Sequence, residues 1–245
     1  MNQLQKSLKD YLNYTSFKRD ELKNFLGVVN EFGESAIFGG MIRDFLIGSP
    51  KGFKGDIDIV VDSQSLDELF IVFQNYQILR NKFGGLRINL GSWEIDIWRL
   101  SDTWAFSNVP GISPILSNLP FTTFFELDSI CYNLRSKKIV CTPTYFDHFK
   151  DKILDVTCPI SSSDVYILKK GYRYIAGMSF DPTPEMKIRL IDAYERVVLS
   201  GLPLENKLHD FYIKLRSHLG EGALGSYIKD LNNFVNSRQL SLVTF

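Results

Sequence analysis

The sequence is poor in cysteine, carries no surplus of either charge and has no long apolar run. Its three cysteines, Cys131, Cys141 and Cys158, stand far apart. No pair has the close spacing of a zinc site, and an odd count of scattered thiols fits a reducing, cytoplasmic setting rather than a disulfide scaffold. Lys and Arg together number 28, as do Asp and Glu. A globally basic nucleic-acid binder is therefore excluded, while a local basic patch is not. No apolar stretch reaches membrane-spanning length, and the opening M-N-Q-L-Q-K-S-L-K-D reads as a polar helix start rather than a signal peptide. No internal repeat or low-complexity segment is visible.

What the chain has is apolar bulk and one dense stretch of chemistry. With 44% hydrophobic residues, 19 Phe and 11 Tyr among 245 residues, it can fill one large core or two small ones. The dense stretch runs over 36–62. Ala36-Ile37-Phe38 reads as a buried strand that Gly39-Gly40 ends. Residues 41–47 make two turns of helix, with Met41, Ile42, Phe45 and Leu46 on one side, Gly48 as cap and Pro50 as stop. A second strand begins Asp56-Ile57-Asp58-Ile59-Val60-Val61.

Two physical facts make this stretch a candidate site. Glycines let an anion approach backbone N–H groups, and a helix N-terminus just after them carries partial positive charge. Asp56 and Asp58 are two apart on a strand, so their carboxylates leave one face about 6–7 Å apart. Such a face can hold one or two Mg²⁺, a hard cation that takes carboxylate and phosphate oxygens. Phosphate cradle and metal carboxylates together point to nucleoside triphosphate chemistry.

The run G-G-x-x-R-D-x-x-x-G followed by D-x-D resembles the head of the polymerase-beta-type nucleotidyltransferases. It is closest to the branch of tRNA CCA-adding enzymes and bacterial poly(A) polymerases. The resemblance covers about 36–180. It implies an α+β fold, a mixed and mainly antiparallel sheet flanked by helices, followed by a helical neck and body. The expected organisation is a helical segment over 1–33 packing on the head, the head over 34–158, and the neck and body over 159–245.

The resemblance also implies roles. Gly39, Gly40 and Arg43 would cradle the beta and gamma phosphates, with pairing to Asp44 as the alternative for Arg43. Asp56 and Asp58 would bind Mg²⁺, with Mn²⁺ able to substitute. A third acid is expected on the strand S-W-E-I-D-I-W-R-L, the second half of a hairpin turned by Gly91-Ser92. Its I-D-I-W surroundings favour Asp96 as catalytic and metal-binding acid, whereas alignment on the E-V-x-x-x-R run of the CCA-adding branch favours Glu94. In the neck-like segment L-K-K-G-Y-R-Y-I-A-G-M-S-F, Lys170 and Arg173 match two nucleotide-binding arginines; Lys170 keeps the charge and loses the bidentate fork.

The chain departs from the family at Thr122, Thr123 and Phe124, which stand where Arg-Arg-Asp is expected. Asp128 and Ser129 replace Asn-Ala. A triphosphate-binding Arg and a ribose-associated group are lost, so ribonucleotide preference does not carry over and a dNTP substrate stays open. The resemblance thus implies an ATP- or dATP-using transferase with no template, and an RNA or DNA 3′ end as one candidate acceptor. Short oligo(A) or oligo(dA) synthesis in a toxin or phage-defence setting is the leading expectation. A tRNA-type 3′-end transferase and an inactive nucleotide-binding module are the alternatives. No membrane partner is expected; the terminal helices are candidates for self-association or an effector protein.

Elsewhere, a helix is expected over 63–75 and a short strand over 77–80. A long loop over 101–120 is expected to line the nucleotide or primer pocket. His148 is read as structural, and 152–156 as the last strand. From Ser161 onward the pattern is helical, with Val165, Leu168, Tyr172, Ile175 and Ala176 as the first inner stripe. Further helices follow to residue 199, over 205–219 and over 223–236.

Overall fold

The computed structural model describes residues 2–13, 17–48, 55–81, 84–161 and 163–217. The expected helix over 223–236, Leu219, Pro50 and Ser162 lie outside them. The chain divides into two compact units, Met1–Ser162 and Ser163–Phe245. Among the described residues no helix is long and apolar enough to cross a membrane.

The first unit is built on a seven-stranded sheet. Its strands are β1 (Glu34–Phe38), β2 (Ile57–Asp62), β3 (Gln77–Arg80), β4 (Leu86–Leu90), β5 (Trp93–Arg99), β6 (Ile130–Asn133) and β7 (Ile139–Cys141). Their order is β3-β4-β5-β2-β1-β6-β7. Every neighbouring pair is antiparallel except β2 with β5. The α+β architecture and the β4–β5 hairpin are those expected from the sequence.

Alternation explains which face is covered. On β4 and β5, Leu86, Ile88, Leu90, Trp93, Ile95 and Ile97 are buried, and the residues between them are more open. The buried set joins Ile37, Ile57, Ile59 and Tyr132 in the main core. Helices α1 (Asn2–Asn13), α2 (Phe17–Glu31) and α3 (Gly40–Ile47) pack on it, and Leu69 and Tyr145 of two shorter helices join them. Leu4, Leu8, Tyr11 and Leu12 recur at helical spacing and all point into this core. The Tyr11 ring meets Phe45 at 4.8 Å and Trp93 at 6.1 Å between centroids, both edge-on.

The opposite face carries a smaller core of Ala36, Val60, Leu100, Leu116, Leu119 and Cys131. The expected long loop covers it, and it is less irregular than its composition suggests. A tight turn at Leu100–Asp102, a short helix at Trp104–Asn108 and a 3₁₀ segment at Leu116–Thr122 pack its apolar residues down. Burial pushes the Cys131 thiol up to about 12.

Two expected elements are shorter than their periodicity suggested. The helix over 63–75 is ordered as α4, Asp67–Val72. The Ser65 hydroxyl accepts the Asp67 amide, and turns over 73–76 close the segment. The strand over 152–156 is reduced to Ile153–Leu154.

The second unit holds α7 (Asp164–Tyr172), a π turn (Arg173–Gly177), α8 (Pro184–Leu199) and α9 (Asn206–Ser217); α5 and α6 are Trp104–Asn108 and Tyr145–Lys150 of the first unit. Ser163 caps α7 and Thr183 caps α8, each accepting a backbone amide three residues on. The buried stripe of α7 and its turn is Ile167, Leu168, Gly171 and Tyr174. It shares only Leu168 with the expected stripe. The reason is close approach: a Cβ at Gly171 would lie 2.5 Å from Leu190 Cδ2. The bare glycine face therefore packs on α8, and Tyr172 turns toward Phe211, 5.5 Å away.

The packing of α1 makes a testable claim. Leu8 is fully buried, so Leu8→Ala should cost about 2–5 kcal/mol. Urea denaturation should show it as a lower midpoint with an unchanged slope.

Candidate functional site

The acid face is set by strand register. The parallel pairing of β2 and β5 puts Asp58 level with Asp96. Adjacent strands lie about 4.7–4.9 Å apart, and level residues project from the same face. Asp56 stands immediately ahead of β2, and continuing the register back by one sets it level with Glu94. By alternation Asp56, Asp58, Glu94 and Asp96 share the face opposite the helix-covered core. Asp58 and Asp96 are half-buried, whereas Asp56 and Glu94 are exposed. Both candidates for the third acid are thus on this face, with Asp96 the one level with Asp58.

The glycine tip stands beside these acids. β1 pairs with β2 antiparallel, Ile37 against Ile59. One more step sets Phe38 beside Asp58, and Gly39 follows. Gly39 has φ 64, ψ −108, a conformation open to glycine, and starts α3 with no side-chain cap. Its own amide donates to Ile130 O at 2.8 Å. The α3 tip therefore presents backbone rather than a capping side chain toward the acid face.

Arg43 is turned inward. Its side chain is only 4% exposed. Nε donates to Asp44 Oδ1 at 2.9 Å, and Nη1 donates to Asp128 Oδ1 at 2.5 Å. The Asp44 pairing left open by the sequence is present, and Asp128 is a second partner that the sequence did not suggest. Together they tie the first turn of α3 to the turn at Glu126–Asp128. In this structure the Arg43 guanidinium is engaged by these two carboxylates.

A cation already faces the acids. Arg87 on β4 lies directly across from Asp96. Its Nε and Nη2 reach Asp96 Oδ1 and Oδ2 at 2.8 and 2.5 Å. The Asp96 hydrogen bond and charge raise the Arg87 pKa above its ordinary range, and Asp56 and Glu94 add to the effect. Sequence reasoning missed Arg87. Its cue was a lone basic residue at the polar position of a strand whose hairpin partner is acidic.

The segment that departs from the family is tied to its own backbone. Thr122 Oγ1 donates to Leu119 O at 2.6 Å, Thr123 Oγ1 donates to Phe125 O at 3.0 Å, and Phe124 is buried. No charged side chain stands at these three positions.

Nearby in sequence is a second polar cluster. Glu126 is buried and accepts from Thr142 Oγ1 at 2.9 Å and Thr144 Oγ1 at 2.5 Å. Its other oxygen faces His148 Nδ1. Glu126, His148 and Asp155 bring ligand atoms within 4.8 Å of one another, a geometry that can hold a metal ion. Glu126 was missed, although a lone carboxylate inside F-F-E-L is itself a signal of a buried polar contact.

Lys170 and Arg173 belong to the second unit. Lys170 donates to the Tyr166 hydroxyl, one turn back, and lies over that ring. Arg173 opens the π turn and is exposed. The two are three apart, as the sequence placed them, and sit where regular α-helix gives way to the wider turn.

The inward Arg43 predicts a large effect on stability. Arg43→Ala removes the guanidinium that faces Asp128, a carboxylate only 7% exposed. It should destabilise the first unit by about 3–5 kcal/mol, read as a loss of thermal midpoint, with Arg43→Lys in between.

No protein-family model and no curated protein sequence matches the chain. Solved structures do. A CCA-adding enzyme in complex with CTP aligns at TM-score 0.60 and 19% identity, over 94% of this chain and 54% of that one. A tRNA nucleotidyltransferase complexed with a primer tRNA and an incoming ATP analog aligns at 0.59 and 18%, over 89% and 70%. A tRNA-processing enzyme with CTP aligns at 0.58 and 17%, over 78% of this chain and 56% of that one. The chain thus spans roughly half to two-thirds of the length of these enzymes. The seven-stranded sheet and these alignments show that the chain shares the fold of these CCA-adding and tRNA nucleotidyltransferase structures.

Proposed function

We propose that the protein is a Mg²⁺-dependent nucleotidyltransferase that works without a template. It transfers a nucleoside monophosphate, AMP or dAMP, from the triphosphate to a hydroxyl acceptor and releases pyrophosphate. One observation carries the reading: the register that sets Asp58 level with Asp96 also brings the glycine-led tip of α3 alongside. The fold likeness to nucleotidyltransferases supports it.

The donor set fits the metal. Asp56, Asp58 and Asp96, with Glu94 as the alternative third acid, offer only carboxylate oxygens, which suit a hard cation such as Mg²⁺ or Mn²⁺. Bound there, the ion would supply charge neutralisation for the triphosphate and a lower pKa for the acceptor hydroxyl.

The chain's own groups supply the rest. The Gly40 amide and the open tip at Gly39 receive the beta and gamma phosphates, since neither residue has a Cβ to keep an anion away. Arg43 holds that tip through Asp44 and Asp128. By the family resemblance, Lys170 and Arg173 of the second unit are the candidate nucleotide-binding cations. The acceptor oxygen attacks the alpha phosphorus in line, and pyrophosphate leaves from the opposite side.

Adenine follows from the family resemblance. The sugar follows from what is missing: Thr122, Thr123 and Phe124 offer no cation for a triphosphate and no carboxylate for a ribose hydroxyl, which admits dATP beside ATP. Short oligo(A) or oligo(dA) made in a phage-defence or toxin setting fits these features. A second reading, adenylyl or CCA-type addition to an RNA 3′ end, is favoured by the likeness to an enzyme solved with a primer tRNA.

Incubation with each NTP and dNTP, with and without an RNA or DNA primer, separates these readings by product size and mass. Asp58→Ala should lower pyrophosphate release by about 10²–10³-fold or more with an unchanged far-UV spectrum. Retained incorporation in that variant would remove the assignment. Nucleotide binding with no pyrophosphate from the wild-type protein would point to an inactive module.

A further inference from the structure

We propose that Arg87 is a resident cation of the acid face, one that a divalent ion must displace from Asp96 when it binds. The inference rests on the proposed function, because it concerns the same carboxylates. Three observations carry it.

The first is geometry. The Arg87 fork engages both oxygens of Asp96, at 2.8 and 2.5 Å. These are the atoms a metal would need, so fork and metal compete for one carboxylate. The second is the charge around the fork. Asp58 stands level with Asp96 on the adjacent strand, and Asp56 and Glu94 both act on the guanidinium. Four carboxylates on one face repel one another, and Arg87 offsets part of that repulsion before any metal arrives. The third is access. The Arg87 side chain is 54% exposed and that of Asp96 20%. A pair this open is weak enough to exchange, unlike the buried Arg43 cluster.

Arg87 is thus a positioning residue. It keeps Asp96 oriented while the face is metal-free, and it makes Asp96 rather than Glu94 the acid that changes partner on loading. A merely structural fork clamping β4 to β5 would leave metal affinity untouched.

The experiment measures Mn²⁺ binding to the full chain without nucleotide, by titrating the free-ion EPR signal. Arg87→Gln should tighten Mn²⁺ binding by about three- to tenfold, on the scale of one exposed ion pair. Arg87→Lys keeps the charge but loses the fork, and should fall between. Asp96→Asn should weaken binding, and in the double variant the gain from Arg87→Gln should vanish. Circular dichroism confirms that each variant is folded. Unchanged or weaker Mn²⁺ binding in Arg87→Gln, with binding still lost in Asp58→Asn, overturns this inference alone. Mn²⁺ binding indifferent to Asp58→Asn places the ion elsewhere and overturns both this inference and the proposed metal site.

Discussion

The parallel pairing of β2 with β5 is the constraint on which the site depends. Every other adjacent pair in the sheet is antiparallel. Antiparallel neighbours can be joined by tight turns, but a parallel pair needs a crossover. Here α4 and the strands β3 and β4 supply it, returning the chain to β2 in the same direction. The register that results sets Asp58 level with Asp96. A slip of one residue would send one acid strand's carboxylates into the core face. A slip of two would place Asp58 against Glu94 or Trp98. The buried alternation of Ile57, Ile59, Ile95 and Ile97 on the other face is what forbids the one-residue slip.

How much of this was legible follows from distance along the chain. The D-x-D strand, the glycine tip and the hairpin at Gly91-Ser92 are local patterns, and each stands where its periodicity put it. The α+β architecture was legible for the same reason. The pairing of Asp58 with Asp96 joins residues 38 apart, and no local signal carries it. The Arg43 cluster hid similarly, because its second partner, Asp128, is 85 residues away. The α7 stripe was misplaced for another reason. Side-chain size was taken to choose the inward face, whereas the bare surface of Gly171 chose it by admitting Leu190. The covering segment over 101–120 read as loop because its prolines and polar residues mask Leu116 and Leu119, which are buried.

The two arginine clusters show one chemistry in two environments. Arg43 and Arg87 each fork onto carboxylate oxygens at similar distances. The first is enclosed and fixes the helix tip in position. The second sits at the mouth of the acid face and can exchange. The fold thus has a rigid element where phosphate would rest on backbone amides, and an adjustable one where carboxylates must accept an ion.

That contrast makes ionic strength a selective handle on the molecule. Dissolved salt screens exposed charges over about 8–10 Å at ordinary concentrations and reaches enclosed ones far less. Raising it would loosen Arg87 from Asp96 and leave the Arg43 clasp nearly intact. A modest change of buffer would therefore retune the charge balance of one face without disturbing the scaffold that holds it.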